Sequence, residues 1–264
     1  MAFTVATYNA LASAYIQRAW YPRTPALALE PAWRAPALVR HVSKLGADIF
    51  CLQEMEPETF VAFRTTLGEQ GYGSQYARKL AQRPDGVAIF YRRAAFELLS
   101  ARVIAYSDGA GVAPDTGYVA LIALLRNPGG ILGVINTHLI WDPPSTARGM
   151  QLGLSQAQQL LAELESGAAD ARGWIVSGDF NVTPESEIVA LIKQAGFQYA
   201  HRDLPEVYTC NFGANARLID YLFHSEKLRA EPARPTRIDD RTILPSADEP
   251  SDHVAIMATF HWKD

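Results

Sequence analysis

The residues best suited to chemistry stand at the ends of apolar runs. Trp174-Ile175-Val176-Ser177 leads directly into Gly178-Asp179-Phe180-Asn181. A short apolar run closed by turn residues predicts a buried strand whose end meets solvent. Asp179 and Asn181, two apart on an extended segment, are expected on the same side, and Gly178 permits a sharp exit or a close backbone approach. A carboxylate beside a carboxamide suits a hard divalent cation that carries a phosphate. Asp179 would ligate the ion or polarise a water, and Asn181 would hold that water or a phosphoryl oxygen. A plain Asx turn is the bland account of the same pair.

Other strand ends repeat the pattern. Asn9 closes the run from Phe3, Glu54 closes Ile49-Phe50-Cys51-Leu52-Gln53, His138 follows Val134-Ile135-Asn136-Thr137, and Asp252-His253 precede the last strand. Asp220 is embedded in the apolar run Leu218-Ile219-Asp220-Tyr221-Leu222-Phe223. An unpartnered carboxylate there costs on the order of several kcal/mol, so it is expected against a metal, a histidine or several backbone N–H groups. Singly, each position reads as a turn former, a solvated carboxylate or a satisfied histidine. A cleft at one edge of a sandwich accounts for all of them at once.

The elements that must position these groups follow from periodicity. Strands are expected over 3–9, 47–54, 73–76, 86–91, 96–105, 118–126, 131–138, 207–211, 218–223 and 254–260, besides the run that ends at Asp179. Helices are expected over 33–45, 58–70, 150–165 and from Thr183-Pro184 to 194. Leu38, Val42 and Leu45 form the stripe of the first helix. Met150, Leu154, Ala157, Leu161 and Leu164 form that of the third, with its glutamine-rich face left to solvent. Thr183-Pro184 reads as an N-cap and first-turn pair, and Gly46 and Gly196 as stops. Asn127-Pro128-Gly129-Gly130 reads as a hairpin, and 108–117 and 236–250 as loops. Without repeats or a linker, residues 1–264 are expected to form one domain.

Composition narrows the function. Hydrophobic residues make up 48% and charged residues 20% of the 264 positions, the profile of a soluble globular protein. With no signal peptide or apolar span in view, a cytoplasmic protein with no membrane attachment and no obligate protein partner is the expectation. Two cysteines, Cys51 and Cys210, lack the spacing of a zinc site or a disulfide framework. A net charge of −4 and the lack of a basic run argue against tight non-specific duplex binding.

The ordered set Thr7-Tyr8-Asn9, Leu52-Gln53-Glu54, Asn136-Thr137-His138, Gly178-Asp179-Phe180-Asn181, Ile219-Asp220-Tyr221 and Ser251-Asp252-His253 resembles the motifs of the endonuclease/exonuclease/phosphatase superfamily along nearly the whole chain. Within it, Tyr8-Asn9-Ala10-Leu11-Ala12 with Tyr15, Trp33-Arg34, Asp85-Gly86-Val87-Ala88-Ile89-Phe90, Trp141-Asp142-Pro143 and Tyr208-Thr209 are similar to the nocturnin, Angel and carbon-catabolite-repressor-type deadenylase branch. Two positions depart from that branch. Cys210 stands where an asparagine that helps hold a terminal base is expected, with Asn211 one later. Ile140 stands where nocturnin-like members carry a phosphate-side basic residue.

The resemblance implies a four-layer α/β sandwich: two mainly antiparallel sheets packed face to face, with helices outside. It also implies hydrolysis of a phosphate ester with Mg²⁺, or Mn²⁺ in its place. On this reading Glu54 is the principal metal ligand, with Asn9 and Asp252 completing the metal shell or its outer hydrogen bonds. Asp179 orients or deprotonates water held by Asn181, and His138 and His253 stabilise the phosphoryl group. Asp220 fixes the tautomer of His253 and raises its pKa. Trp141, Asn211 and Phe212 are the candidate substrate-binding residues. Three functions stay open: 3′–5′ trimming of single-stranded RNA or short oligonucleotides, phosphomonoester hydrolysis on a nucleotide or another small metabolite, and a non-catalytic binding module.

Overall fold

Each sheet is built around one parallel pair of strands, and the site lies at the ends of those pairs. The computed structural model describes residues 2–108, 116–167 and 170–264. In chain order the elements are β1 (Ala2–Asn9), α1 (Pro31–Leu45), β2 (Ile49–Gln53), α2 (Pro57–Glu69), β3 (Tyr72–Arg78), β4 (Gly86–Arg92), β5 (Glu97–Ala105), β6 (Val119–Asn127), β7 (Gly130–His138), α3 (Leu152–Ser166), β8 (Gly173–Asp179) and α4 (Glu187–Gln194). The remainder are β9 (Gln198–Tyr199), β10 (Cys210–Asn211), β11 (Ala216–Arg217), β12 (Asp220–His224), β13 (Leu228–Pro232) and β14 (Ile256–Trp262). One six-stranded sheet runs β13-β14-β1-β2-β4-β3, the other β5-β6-β7-β8-β12-β9, and β10 pairs with β11 alone. Among the described residues the parallel pairs are β1·β2, joined through α1, and β7·β8, joined through α3.

Alternation along the strands builds the layers. In β1, Phe3 and Val5 enter the core between the sheets, whereas Ala6 and Tyr8 lie with Leu38, Val39 and Val42 of α1 and Phe63 and Leu67 of α2. Asn9 shares the parity of Phe3 and Val5, so it faces the opposite sheet. In β2, Ile49 and Cys51 face inward, and Gln53 follows them. The second sheet is covered by Leu154, Ala157, Leu160, Leu161 and Leu164 of α3 and Ile188, Val189 and Ile192 of α4. This is the four-layer sandwich that the motifs imply.

A polar clamp ties the two sheets just below the site. Gln53 donates to Asn136 (2.7 Å) and Thr7 (2.9 Å), and the Asn136 amide donates to the carbonyls of Leu52 (2.9 Å) and Ala88 (2.8 Å). With Gln53 and Asn136 fully buried, the sheets hold one register instead of sliding on a uniformly apolar interface.

Several local expectations change. The last helix, α4, begins at Glu187, not at Thr183-Pro184: Thr183 closes a turn by accepting from Ser186 N–H, and Ser186 Oγ caps the helix by accepting from Val189 N–H. Met150 is 73% exposed, in a 3-10 turn before α3. From the face expected to be solvated, Gln156 is buried and accepts from Ile140 N–H at 2.9 Å. The strand expected over 207–211 shortens to Cys210–Asn211. Most of the loop expected over 108–117 lies outside the described residues. No helix among the described residues is long and apolar enough to cross a membrane.

Gly178 shows how tightly β7 and β8 meet. Its φ is 141°, and a methyl carbon added there would collide with the backbone carbonyl of Thr137. Gly178→Ala is therefore expected to add about 1–3 kcal/mol of backbone strain and about 1–3 kcal/mol of overpacking. Chemical denaturation monitored by tryptophan fluorescence measures the loss. A variant as stable as the parent would contradict this account.

Candidate active site

Strand register collects the second sheet's share of the site into one row. His138 is the Cα partner of Asp179 in β7·β8, and Asp220 is the partner of Asp179 in β8·β12, so all three side chains leave the same face. Opposite them, Asn9 ends β1, and Glu54 follows β2 with a left-handed φ of 54°. Asn9 bridges the sheets: its amide N–H groups reach Glu54 Oε1 at 3.0 Å and Asp179 Oδ2 at 2.9 Å, while its carbonyl oxygen accepts from Leu11 N–H at 2.9 Å. Glu54 Oε2 accepts from Ala12 N–H at 2.8 Å. In this orientation Asn9 turns its donor to the carboxylates and acts on an ion through them, so it fits the outer hydrogen-bond role and not direct ligation.

Asp179 and Asn181 do come together, by a different route from simple strand alternation. The strand ends at Asp179, and Asn181 has a left-handed φ of 55° and donates its N–H to Asp179 Oδ1 at 2.8 Å. The Asx turn thus coexists with the site. It delivers the Asn181 amide to the Leu139 carbonyl (2.9 Å) and to within 3.1 Å of His138 Nε2.

The buried Asp220 has the partner its position requires. Its Oδ2 lies 2.8 Å from His253 Nδ1, while His253 Nε2 lies 3.7 Å from Asp179 Oδ2 and 4.0 Å from Asp252 Oδ1. Burial opposes charge on His253, but Asp220 outweighs it and holds the ring well above its ordinary pKa. Burial, then the charge of Asp220, push the Asp179 carboxyl above the usual range. For Glu54 burial raises the pKa, and Asp85 adds to it against the opposing pull of Lys79. Asp252 is held by the Tyr21 hydroxyl at 2.9 Å. Oxygen donors on the half-buried Glu54 and the buried Asp179 and Asp252 fit a hard divalent cation.

One site residue escapes the motif reading, and a second stands in a motif without an assigned role. Lys79, just after β3, is buried, pairs with Asp85 at 2.8 Å and lies 3.3 Å from His138 Nδ1 and 4.3 Å from the Tyr118 ring centre. Its partner Asp85 is held by the Tyr15 hydroxyl at 2.7 Å. Burial, then Lys79, keep His138 well below its ordinary pKa, so the ring is neutral. Both ring nitrogens of His138 face donors, the Lys79 ammonium at Nδ1 and the Asn181 amide at Nε2. Nothing in the local sequence marks this lysine as buried.

Arg34 is the second. It is 1% exposed and donates to the carbonyls of Ala10 (2.7 Å), Leu11 (2.7 Å) and Pro250 (3.0 Å). It thereby joins the segment after Asn9 to the segment before Asp252-His253. Its spacing of four from Leu38 places it on the buried stripe of α1, a signal available in the sequence.

The expected substrate-binding residues divide. Trp141 is 51% exposed on the segment after His138 and is free to stack. Phe212 packs edge-on against Trp20 and Tyr21, each at 5.8 Å between ring centres. Asn211 is buried with its amide on the Asp239 (2.9 Å) and Thr242 (2.7 Å) carbonyls, so its donors are committed to the loop instead of a base. Asn211 borders a cleft of about 330 Å³ lined also by Trp20, Tyr21, Arg23 and Leu244.

Comparison with known proteins agrees with this geometry. Residues 6–253 match the model described as the Endonuclease/Exonuclease/phosphatase family. Protein angel homolog 2 of Homo sapiens is 29% identical over 209 residues, covering 75% of this chain and 38% of its own. The CCR4-Not complex 3′-5′-exoribonuclease subunit Ccr4 of Mycosarcoma maydis is 25% identical over 342 residues, covering 99% of this chain and 50% of its own. The chain thus spans half or less of the length of these relatives. Among solved structures, ANGEL2, a 2′,3′-cyclic phosphatase in complex with adenosine-2′,3′-vanadate, superposes with a TM-score of 0.85 at 24% identity, over 98% of this chain and 95% of that one. That similarity speaks for the fold.

Arg34→Ala should leave three buried carbonyls without their donor. Hydrogen bonds to a charged group contribute about 1.5–3 kcal/mol each, so a loss of at least about 3 kcal/mol is expected. Urea unfolding measures it, and a midpoint shift corresponding to under about 1 kcal/mol would show that Arg34 does not hold these segments together.

Proposed function

The chain belongs to the endonuclease/exonuclease/phosphatase family, and from that premise we propose that it is a metal-dependent phosphoric ester hydrolase, a single catalytic domain that trims single-stranded RNA or short oligonucleotides from the 3′ end. The observation that carries this reading is the Asn9 amide shared between Glu54 and Asp179, set beside a His253 that Asp220 keeps charged. The similarity to the Ccr4 exoribonuclease subunit supports the substrate class.

Magnesium, or manganese in its place, fits on Glu54, Asp179 and Asp252 and when bound neutralises charge on the scissile phosphate. Asp179 orients the attacking water and takes its proton. Asn181 helps to hold that water, and Asn9 fixes the carboxylate through Oδ2. His253, charged and tethered through Nδ1, turns Nε2 toward the phosphoryl oxygens and stabilises the negative charge that grows on them. His138 donates to a second phosphoryl oxygen, with Lys79 packed behind the ring. Trp141, exposed beside His138, offers a stacking face to a base, and Tyr21 connects Asp252 to the adjoining cleft.

A second reading, opening of a 2′,3′-cyclic phosphodiester at an RNA end, is supported by the fold similarity to ANGEL2 with its adenosine-2′,3′-vanadate. It uses the same residues on a diester whose leaving group is a ribose oxygen.

A 5′-labelled RNA panel separates the possibilities: a 3′-hydroxyl strand, a 2′,3′-cyclic phosphate strand, duplex DNA and small phosphomonoesters. Stepwise shortening of the single strand in Mg²⁺, and none in excess chelator, is expected. Cyclic-end opening without shortening would select the second reading. Phosphate release from small monoesters alone would replace both with a phosphomonoesterase. Glu54→Ala and Asp179→Ala should each lower kcat by about 10²–10⁴, the scale of a lost general base or its equivalent. Trp141→Ala should weaken base-bearing substrates by about 1–3 kcal/mol, read in KM.

The pH profile tests the histidine. If His253 acts as a cation, activity falls as pH rises through its elevated pKa. Asp220→Asn removes the charge that raises this pKa, so the alkaline fall should move to lower pH and the maximum should drop. An unmoved alkaline limb would remove Asp220 from the pair.

A further inference from the structure

Cys210 brings a soft ligand to an otherwise hard centre. A short antiparallel ladder sets it opposite His253: Asn211 N–H donates to the Asp252 carbonyl at 3.0 Å, Val254 N–H to the Thr209 carbonyl at 2.7 Å, and Cys210 and His253 form the bridge between them. Directly opposed residues on one face of such a ladder have neighbouring side chains. One ligand atom from each of Cys210, Asp252 and His253 lies within 4.8 Å of the others, and all three residues are buried. We propose that Cys210, Asp252 and His253 form a second cation site, selective for zinc and similar thiolate-binding ions over magnesium, and that its occupation switches the hydrolytic centre off.

The surrounding contacts are those a ligated ion needs. A metal-binding histidine usually gives its other ring nitrogen to a carboxylate, and His253 Nδ1 already sits 2.8 Å from Asp220, leaving Nε2 beside Asp252 Oδ1 at 4.0 Å. Asp252 is steadied by the Tyr21 hydroxyl at 2.9 Å. Bond lengths of about 2.3 Å to sulfur and about 2.0–2.1 Å to nitrogen put tetrahedral ligand atoms about 3.3–3.8 Å apart, so binding requires the three atoms to close by about 1 Å. Sulfur decides the ion: magnesium takes oxygen donors, whereas thiolate favours zinc, cadmium and cobalt. On binding, the thiol proton leaves to solvent and the ion takes the Nε2 lone pair. The imidazolium proton that faces the phosphoryl group is then lost, also to solvent, and the ion occupies the space of the substrate oxygen.

Binding is tested without substrate, so its outcome is separate from that of the hydrolase reading, on which only the inhibition rests. Metal-free protein titrated with Cd²⁺ should show a thiolate-to-cadmium absorption band that saturates at one equivalent and is displaced by Zn²⁺. Cys210→Ser should lack the band, and Cys51→Ala should keep it. His253→Gln, which keeps the thiol, should weaken cadmium binding at least about tenfold. Absence of the band, its persistence in Cys210→Ser, or unchanged affinity in His253→Gln each overturns the site. In the Mg²⁺-supported assay, Zn²⁺ that inhibits the parent about tenfold should leave Cys210→Ser active. A parent insensitive to Zn²⁺ while it binds Cd²⁺ overturns the switch.

Discussion

Two carboxylates placed directly opposite each other on an antiparallel strand pair are the constraint on which the site depends. The β8·β12 register pairs Asp179 with Asp220, both buried, and like charges so placed repel. Alone, the arrangement would drive one of them to take up a proton. His253 relieves it: Nδ1 binds Asp220, Nε2 approaches Asp179, and the ring is held as a cation. The segment that carries His253 must therefore be held against the sheet edge, and much of the buried polar structure near it serves that end. Arg34 holds the Pro250 carbonyl, Ser251 Oγ donates to the Asn9 carbonyl at 2.7 Å, and Tyr8 donates to Glu249 at 2.6 Å.

The sandwich supplies the other half of the constraint. A helical crossover in each sheet creates one parallel pair, and ligand sites in α/β sheets gather at the carboxyl ends of such strands. Here Asn9 and Glu54 come from one sheet, and His138 and Asp179 from the other. Sliding the sheets by one residue would send the Asn9 amide away from both carboxylates. The Gln53–Asn136 clamp opposes that slip, because its buried amides find partners in a single register. Polar groups inside the sandwich thus set position, while the apolar layers on either side provide the burial.

What the sequence revealed follows from the same physics. Strand ends were legible because hydrophobic runs stop where polar groups begin, so Asn9, Glu54, His138 and Asp179 could be picked out one by one, and Asp220 stood out as a carboxylate inside an apolar run. Joint membership in the site was legible through the motif order. The conformation of Asn181 was not, since a left-handed residue in an Asx turn and an extended residue carry the same letter. Lys79 was hidden for a different reason. It follows a strand in a hairpin, where lysine is ordinarily solvated, and only tertiary contact with His138 and Tyr118 buries it. Arg34 lay in plain view on an apolar helical stripe, where a charged residue asks for a reason. The engagement of the Asn211 amide was not legible because its distant partners, the Asp239 and Thr242 carbonyls, come from a loop whose path local pattern does not specify.

The charges are also distributed with a direction. Carboxylates of Glu54, Asp179 and Asp252 crowd the inner side, whereas the buried cations Lys79 and Arg34 have partners of their own: Lys79 is bound to Asp85, and Arg34 to backbone carbonyls. Lys79 makes no direct ion pair with Glu54, although its charge pulls on that carboxyl. Had a lysine reached Glu54 directly, it would have filled the place of a cation and lowered the carboxyl pKa to the ordinary range. Instead the pull of Lys79 on Glu54 stays weaker than the effect of burial, and the carboxylates keep a negative field. Buried in low dielectric, that field is the strongest attraction the protein offers to a divalent ion, and through the ion to a phosphate that the net charge of −4 would otherwise repel.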